Sequence, residues 1–364
     1  MRPETREKLI KFVLVVVTIY FFLLSIKLLG HSFKLFGKEF AEAMLQTTAN
    51  PFAGLLIGIV ATSLIQSSST TTSIVVGLVA GGAVTFPNAI PIIMGANIGT
   101  TITNTLVSLG HVGQKAEFKR AFSAGIVHDF YNILAVIVLF PLELYFNILE
   151  RIAVGMTDRF EGVGGMKLFN PLKTILNPVI KLIDEMVAFL PYKEIFLLVI
   201  SVVVMFTALT FLIRTIRSLV LNKIEVIINK YLFINDALGM FWGAVMTFIV
   251  QSSSVTTSLI VPLAGAGIVK LKKIFPYTLG ANIGTTGTAL LAAMATGNPF
   301  AVTAAFAHLM FNIIGIVFIY PVKFIPIRLA EMTGQYVARD RKSFIIFVVV
   351  YILLHFIPVL FISS

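Results

Sequence analysis

The sequence predicts an all-α polytopic membrane protein in which two repeats run in opposite directions through the bilayer. The first observation is composition, because the 364 residues are 57% hydrophobic and 12% charged, about half the charge of a soluble domain. The second is a set of apolar runs that reach the ~20 residues needed to cross a membrane as a helix. The third is a hydroxyl-rich segment that occurs twice in matching surroundings.

The first element is an apolar run over residues 9–29, which follows the basic residues Arg2, Arg6, Lys8 and Lys11. No small-residue cleavage site follows a short apolar core, so we expect a retained first span and not a signal peptide. Lysine and arginine collect on the cytoplasmic side of membrane proteins, and the basic flank therefore predicts a cytoplasmic N-terminus.

Two short apolar runs come next, on either side of the sequence QSSSTTTS at Gln66–Ser73. Residues 52–65 and 70–82 are each too short to cross the bilayer, so together they predict a re-entrant helical hairpin with a polar tip. The sequence QSSSVTTS at Gln251–Ser258 stands in the same pattern and predicts a second hairpin over residues 236–267.

Two longer apolar runs follow each hairpin. The first of them contains GANIGTT, at Gly95–Thr101 and again at Gly280–Thr286, where paired glycines loosen a helix or allow close packing. A shift of 185 residues aligns the two halves without a gap from Gln66 through this motif. Each half crosses three times, an odd number, so the halves face opposite ways, as the repeats of many secondary transporters do.

These elements divide the chain into four expected segments. They are repeat 1 over 1–141 with its hairpin at 52–82, an extracytoplasmic linker with amphipathic helices over 142–192, repeat 2 over 193–321 with its hairpin at 236–267, and a cytoplasmic loop with a last transmembrane helix over 322–364. With the N-terminus inside, the inner segments hold 19 of the 28 Lys and Arg residues. This distribution follows the positive-inside rule and explains the net charge of +11 without a nucleic-acid partner.

The hairpin tips are the expected ligand site. The second short helix of each hairpin starts just after QSSS, and its free N–H groups and positive dipole end suit an anion. The carbonyl groups that end the first short helix suit a hard cation such as Na⁺. The GANIGTT segments add the oxygen ligands Asn97, Thr100, Thr101, Asn282, Thr285 and Thr286. Since the chain has no cysteine, these ligands favour an alkali cation over a transition metal.

Asp129 is a separate candidate, because it lies in the apolar run 122–140 where a carboxylate is costly and is by default a functional hypothesis. Its counterpart in the second repeat is Leu309, so an extra cation is expected in one half only. The alternative is an interfacial aspartate paired with Arg120 or His128. For the tips, the alternative is that serine and threonine only join helices.

The doubled QSSS, the GANIGTT after each copy and the sequence VHDFYN at Val127–Asn132 resemble the type II sodium–phosphate cotransporter family, over about 9–141 and 193–321. The resemblance implies a carrier and not an enzyme: Na⁺-coupled symport of HPO₄²⁻ into the cell by alternating access. An acidic residue at Asp129 implies an additional Na⁺ and electrogenic transport. The short linker departs from animal members, so a prokaryotic plasma or inner membrane is expected.

The expected site residues follow from the motifs and the resemblance together. The phosphate-binding set is Gln66, Ser67, Ser68, Ser69, Asn97, Gln251, Ser252, Ser253, Ser254 and Asn282. The Na⁺-binding set is Gln66, Ser67, Thr100, Thr101, Asp129, Gln251, Ser252, Thr285 and Thr286. Na⁺ is expected as the co-transported ion with no organic cofactor, the partners are phosphate, Na⁺ and the bilayer, and a homodimer is left open.

Three other functions are weighed against this one. Sulfate or a dicarboxylate would satisfy the same Na⁺-coupled logic. An intramembrane serine hydrolase is disfavoured because the GxSxG nucleophile elbow is missing and an enzyme needs no duplicated nucleophile. A passive channel is disfavoured because closed hairpins with Na⁺-type ligands favour a carrier.

Overall fold

The computed structural model describes residues 3–100, 102–165, 170–230 and 234–356, which form helices and turns with no β-strand among them. The helices are α1 (Pro3–Leu35), α2 (Gly37–Ala49), α3 (Pro51–Ile65), α4 (Ser68–Gly81), α5 (Phe86–Gly99), α6 (Ile102–Ser108), α7 (Lys115–Phe146), α8 (Ile148–Gly162), α9 (Asn170–Val187), α10 (Lys193–Lys230), α11 (Asp236–Val250), α12 (Ser253–Ser258), α13 (Val261–Gly265), α14 (Leu271–Thr296), α15 (Pro299–Ile319), α16 (Phe324–Val337) and α17 (Arg341–Phe356). The predicted all-α class is confirmed.

Five stretches of the described helices are long and apolar enough to cross a membrane. They are Leu9–Leu35, Phe86–His111, Lys115–Phe146, Lys193–Thr215 and Pro299–Ile319. The 26 residues of α14 extend over about 39 Å and have the length to cross, although they are more polar. The polytopic membrane class predicted from the sequence is therefore confirmed. Part of the expected last span, residues 357–364, lies outside the described residues.

A sixth candidate span is broken by a sharp bend, because α2 and α3 meet at 100°. The bend has a local cause. Asn50 caps the start of α3 by accepting a hydrogen bond from the N–H of Phe52 at 2.9 Å, and Pro51 occupies the first helical position, where its missing N–H costs nothing. The chain thus restarts a helix at Pro51 in a new direction.

Two pairs of helices, α3 with α5 and α11 with α14, approach closely enough for their backbones to touch. A Cβ atom added to Gly58 of α3 would overlap the carbonyl oxygen of Ile92 in α5, and one added to Gly95 would overlap that of Leu55. The second repeat has the same seam between α11 and α14, where a Cβ atom at Gly280 would overlap the Met240 carbonyl. The glycines of GANIGTT therefore serve close packing, one of the two roles expected of them.

The remaining helices surround these seams. The helices that begin the two repeats, α1 and α10, pack along each other, and α16 packs on α7. In the linker, Glu143 near the end of α7 accepts hydrogen bonds from the N–H groups of Leu149 and Glu150 at 2.6 and 3.2 Å, which satisfies the start of α8. The amphipathic α9 buries Leu176, Ile180 and Val187.

Candidate functional site

Each QSSS segment forms the end of one helix and the start of the next. Gln66 has φ 60° and ψ 25°, and Gln251 has φ 59° and ψ 23°, the left-handed conformation that residues other than glycine rarely adopt. The N–H of each glutamine donates to the carbonyl four residues earlier, of Thr62 or Thr247, at 2.7 Å. The same unusual backbone in both copies is typical of positions whose shape serves a function.

The serine after each glutamine caps the second helix. Ser67 Oγ accepts from the N–H of Thr70 at 3.2 Å, and Ser252 Oγ accepts from the N–H of Val255 at 3.3 Å. Both serines are half-buried, whereas the two serines that follow each of them are buried. The first N–H groups of α4 and α12 have no acceptor within their own helices, so each tip offers main-chain donors to an anion.

Both glutamine side chains are fixed in the same way by a threonine that the sequence analysis did not single out. Thr103 donates to Gln66 Oε1 at 3.1 Å, and Thr288 donates to Gln251 Oε1 at 2.7 Å. Each Nε2 donates to the main-chain carbonyl three residues earlier. The sequence does contain a pattern that points to Thr103 and Thr288. The two copies share a third threonine after GANIGTT, in GANIGTTIT and GANIGTTGT.

The start of α6, together with Thr100 at the end of α5, connects the two tips. Through Thr103 it holds the glutamine of the first tip. Asn104 Nδ2 donates to Thr257 Oγ1 at 2.9 Å, and Ser254 Oγ donates to the main-chain oxygen of Thr100 at 3.5 Å. The residues that join the second tip to the first thus come from repeat 1, although they lie far from it in sequence.

The threonines expected to bind Na⁺ have their protons engaged. Thr100 Oγ1 donates to the Ala96 carbonyl at 2.9 Å, and Thr285 Oγ1 donates to the Ala281 carbonyl at 3.0 Å. Thr286 also donates within its own helix. A hydroxyl that donates its proton elsewhere keeps lone pairs for a cation, so these three buried oxygens are chemically suited to Na⁺. Thr101 lies outside the described residues.

The two asparagines that were expected to bind phosphate form hydrogen bonds with other protein groups. Asn282 Nδ2 donates to Asn132 Oδ1 at 2.8 Å, and its Oδ1 contacts His128 Nε2 at 2.5 Å. Asn97 Nδ2 donates to the carbonyl of Ile93 at 2.9 Å. Each amide group therefore retains only one of its two protons for a further acceptor.

Asp129 is buried and bonds to the last helix. Its Oδ2 accepts a hydrogen bond from the Tyr351 hydroxyl at 3.1 Å. The alternative pairing does not occur, because Arg120 donates to the Gly265 carbonyl at 2.6 and 2.9 Å and His128 bonds to an asparagine. Asp129 and Tyr351 line a largely apolar cavity of about 630 Å³. Within the described chain, no hydrogen bond joins this carboxylate to either QSSS segment.

Two basic cavities of about 650 and 600 Å³ lie where the predicted cytoplasmic segments meet, and Lys272 and Glu331 line both of them. Their charged lining is Lys119, Arg120, Lys270, Lys272, Lys273, Lys323 and Arg328, against Asp236 and Glu331. Lys323 donates to Asp236 Oδ2 at 2.5 Å, and this hydrogen bond holds the pKa of the Asp236 carboxyl below its ordinary value. The excess of positive charge raises the local concentration of anions.

Comparison with known proteins places this geometry in context. A family model described as Na+/Pi-cotransporter matches residues 21–167 and 196–330. The sodium-dependent phosphate transport protein 2B of Pongo abelii is 33% identical over 440 residues, covering 94% of this chain and 64% of the relative. The sodium-dependent phosphate transport protein 2A of Rattus norvegicus is 35% identical over 430 residues, covering 96% and 67%.

The chain thus covers 64% of the length of the 2B proteins of Pongo abelii and Homo sapiens, which is slightly less than two thirds. No solved structure matches it.

Proposed function

Because the chain belongs to the Na+/Pi-cotransporter family, we propose that it is a secondary transporter that carries inorganic phosphate with Na⁺ into the cell. The names of its relatives describe sodium-dependent phosphate transport. One observation in this chain carries the proposal. Two helix starts with matching left-handed glutamines and serine caps are joined through α6, where Thr103 bonds to Gln66 and Asn104 bonds to Thr257.

In the proposal, the two tips hold phosphate between them. The donors are the N–H groups and hydroxyls of Ser67–Ser69 and Ser252–Ser254. No lysine or arginine lies in the QSSS or GANIGTT motifs, so the protein itself brings no full positive charge to HPO₄²⁻. An unpaired dianion in such a buried site would be prohibitively costly. Na⁺ must therefore enter with phosphate, which couples the two fluxes.

The proposed Na⁺ ligands are oxygens beside the same tips. Gln66 and Gln251 end α3 and α11 with free carbonyls, and the hydroxyls of Thr100, Thr285 and Thr286 have lone pairs available. Thr101 completes the proposed set by its position in the motif. Asn97 and Asn282 can each offer phosphate one amide proton, because the other proton is donated to the protein.

Asp129 is proposed as the ligand of one additional Na⁺, which makes transport electrogenic. One of its oxygens, Oδ1, is buried and has no hydrogen-bond partner in the part of the chain that the structure describes, and the other bonds to Tyr351. A cation at Oδ1 would compensate the carboxylate charge. The second repeat has Leu309 at the equivalent position and offers no such ligand.

The membrane arrangement is part of the proposal. The two hairpins re-enter the bilayer in repeats of opposite direction, and alternating access moves the repeats about the site. The N-terminus and the basic cavities lie in the cytoplasm of a prokaryotic cell, since Lys and Arg concentrate there. The segments 1–141, 142–192, 193–321 and 322–364 are the units of this arrangement, and the protein is not an enzyme. The proposal does not assign an oligomeric state, and a homodimer is compatible with it.

The test is uptake of ³²P-labelled phosphate into proteoliposomes with an inward Na⁺ gradient, recorded together with membrane current. We expect saturable uptake that needs Na⁺ and is inhibited by arsenate more strongly than by sulfate or succinate. Stronger inhibition by sulfate or succinate would indicate that the transported substrate is that anion and not phosphate. Uptake that does not saturate and persists without Na⁺ would indicate a channel.

A matched pair of variants locates the site. Ser252→Ala removes the cap and a hydroxyl at the second tip, and Ser25→Ala removes a buried hydroxyl of α1 that only donates to the Phe22 carbonyl. We expect the first variant to reduce apparent phosphate or Na⁺ affinity and the second to leave it unchanged.

A further inference from the structure

Two equivalent groups of buried histidine and asparagine side chains lie across the boundary between the repeats. The first group is His128 and Asn132 of α7 with Asn282 of α14; the second group is His308 and Asn312 of α15 with Asn97 of α5. All six side chains are buried. Each group takes its histidine from one repeat and its facing asparagine from the other, and the duplication relates the two groups residue by residue.

The first group is closed by hydrogen bonds. His128 Nε2 lies 2.5 Å from Asn282 Oδ1, and since an amide oxygen only accepts, the histidine donates from Nε2. Asn282 Nδ2 then donates to Asn132 Oδ1 at 2.8 Å. Asn132 Nδ2 donates in turn to the main-chain oxygen of Asn97 at 2.7 Å. A continuous chain of bonds therefore joins α7, α14 and α5.

The second group is open, although its helices pack together as those of the first group do. Among the described residues, both ring nitrogens of His308 and the Oδ1 atom of Asn312 are buried and have no hydrogen-bond partner. The two amides donate along their own helices, Asn312 to the His308 carbonyl at 3.0 Å and Asn97 to the Ile93 carbonyl at 2.9 Å. Unpartnered buried polar atoms are uncommon and costly in native proteins, so this group has a strong tendency to close.

We propose that the two groups close in alternation, so that the second is closed when the first is open. In the alternate conformation His308 donates to Asn97 Oδ1, and Asn97 Nδ2 donates to Asn312 Oδ1. The orphaned Asn312 oxygen and one His308 nitrogen then gain partners, and the other His308 nitrogen stays unpartnered, as His128 Nδ1 does in the closed group.

Asn97 provides the physical link between the two groups. In the present conformation its main-chain oxygen accepts from Asn132, which holds α5 against α7. In the alternate conformation its side chain turns to α15, and by the duplication Asn312 takes the main-chain oxygen of Asn282. The identification of these conformations with the two sides of alternating access rests on the proposed function, whereas the exchange itself does not.

The exchange can be measured by distances between spin labels. The chain contains no cysteine, so pairs of introduced cysteines are the only labelling sites. Lys119→Cys with Lys272→Cys reports on one end of the molecule, and Glu161→Cys with Phe300→Cys reports on the other, at exposed positions that line different cavities. Measurements in liposomes without Na⁺ and phosphate keep the test independent of transport.

Mirror-image variants give opposite expected results. His128→Ala removes the closed group and should raise the ratio of alternate to present distance populations about tenfold, the effect of losing one buried hydrogen bond. His308→Ala should suppress the alternate population, and the double variant should return the ratio toward that of the unmodified chain. The proposal is overturned if His128→Ala leaves both distances unchanged, or if both single variants shift them in the same direction.

Zinc clamps provide a second measurement, in which one polar side chain is replaced by another. Asn282→His places a second imidazole opposite His128, and Asn97→His places one opposite His308, so each pair provides two ligands for Zn²⁺. Zn²⁺ should hold the present distances in the first variant and the alternate distances in the second. A response to Zn²⁺ in the first variant alone, or the same distances in both, contradicts the exchange. Phosphate uptake is not measured, so failure of the phosphate assignment leaves this outcome intact.

Discussion

Gln66 and Gln251 show how a single residue can determine the shape of the site. Their left-handed backbone directs the chain out of one helix and into the next within two residues. In the proposed function the glutamine side chain has to be held in place, because a mobile one would compete with phosphate for the tip. Thr103 and Thr288 hold it from the neighbouring helix.

The bond from Thr288 leads to a first prediction. Thr288→Val preserves volume but leaves Gln251 Oε1 buried without a partner, which costs about 1–3 kcal/mol. We expect a lower apparent affinity for Na⁺ or phosphate in the uptake assay, with little change in expression. Thr296→Val is the control, because that hydroxyl donates only to the Ala293 carbonyl and accepts from an N–H beside it. Equal apparent affinities for Na⁺ and phosphate in the two variants would show that Gln251 does not contribute to the site.

Asp129 leads to a second prediction at the same scale. Asp129→Gly removes the carboxylate proposed to bind the additional Na⁺, so we expect less charge to move per phosphate, measured as the ratio of current to ³²P uptake. Tyr351→Phe removes only the hydroxyl that donates to Asp129 and should preserve the ratio. An unchanged ratio in the glycine variant would exclude Asp129 from the Na⁺ path.

At the scale of helices, the glycine seams lead to a third prediction. A Cβ atom at Gly280 would overlap the Met240 carbonyl, so Gly280→Ala should force α11 and α14 apart at a cost of about 1–3 kcal/mol. Gly155→Ala in α8 is the control, since no atom of the described residues outside its own helical turn lies within 4 Å of its added Cβ. Thermal unfolding in detergent should show a lower midpoint for the first variant only.

The start of α11 leads to a fourth prediction, on pH. Lys323, Tyr320 and Lys273 surround Asp236 at 2.5, 2.8 and 3.8 Å, and the hydrogen bond from Lys323 lowers the pKa of its carboxyl. Since the folded pKa lies below the unfolded value of about 3.9, this contribution is fully present above that value and is lost as the pH falls through the folded pKa.

Asp236→Asn should therefore be less stable than the unmodified chain at pH 7, and the difference should shrink as the pH falls below about 4. The effect is expected to be small, because the side chain is partly solvated. Unfolding curves of the two proteins at several pH values measure it, and a difference that is constant with pH would contradict the role of this carboxylate.

Most helices could be predicted from the sequence, but some of the breaks could not. The apolar runs predicted helices on both sides of each tip, and the tips begin and end within two residues of the expected positions. The second tip differs from the first, because α12 stops at Ser258 whereas α4 continues to Gly81. Pro262 explains this, since its ring excludes the carbonyl of residue 258 from a regular helix.

The contacts of the site were harder to predict than its motifs. Asn104 and Thr257 pair over 153 positions in the chain, and Asn104 has Ala289 as its counterpart, so the duplication gave no indication of it. Asp129 could be singled out by its charge, but its partner Tyr351 depends on how α17 packs. Such pairings arise from tertiary packing, which local patterns do not encode.

At the scale of the whole molecule, the charge distribution leads to a fifth prediction. The segments predicted to face the cytoplasm hold 19 of the 28 Lys and Arg residues, and seven of these basic side chains line the two basic cavities. In intact cells, a membrane-impermeant thiol reagent should label Glu161→Cys but label Lys119→Cys only after the membrane is opened. Both residues are exposed, so the reverse pattern would invert the proposed orientation.

The glycine seams have a mechanical consequence. Helices in backbone contact cannot slide past each other without their carbonyl groups colliding. The pair α3 and α5 and the pair α11 and α14 should therefore each move as a rigid unit. Between the two helix pairs, Asn104 of α6 and Thr257 of α12 are joined by a side-chain hydrogen bond. In the proposed transport, phosphate is then released when one helix pair tilts against the other, and each tip keeps its shape during this motion.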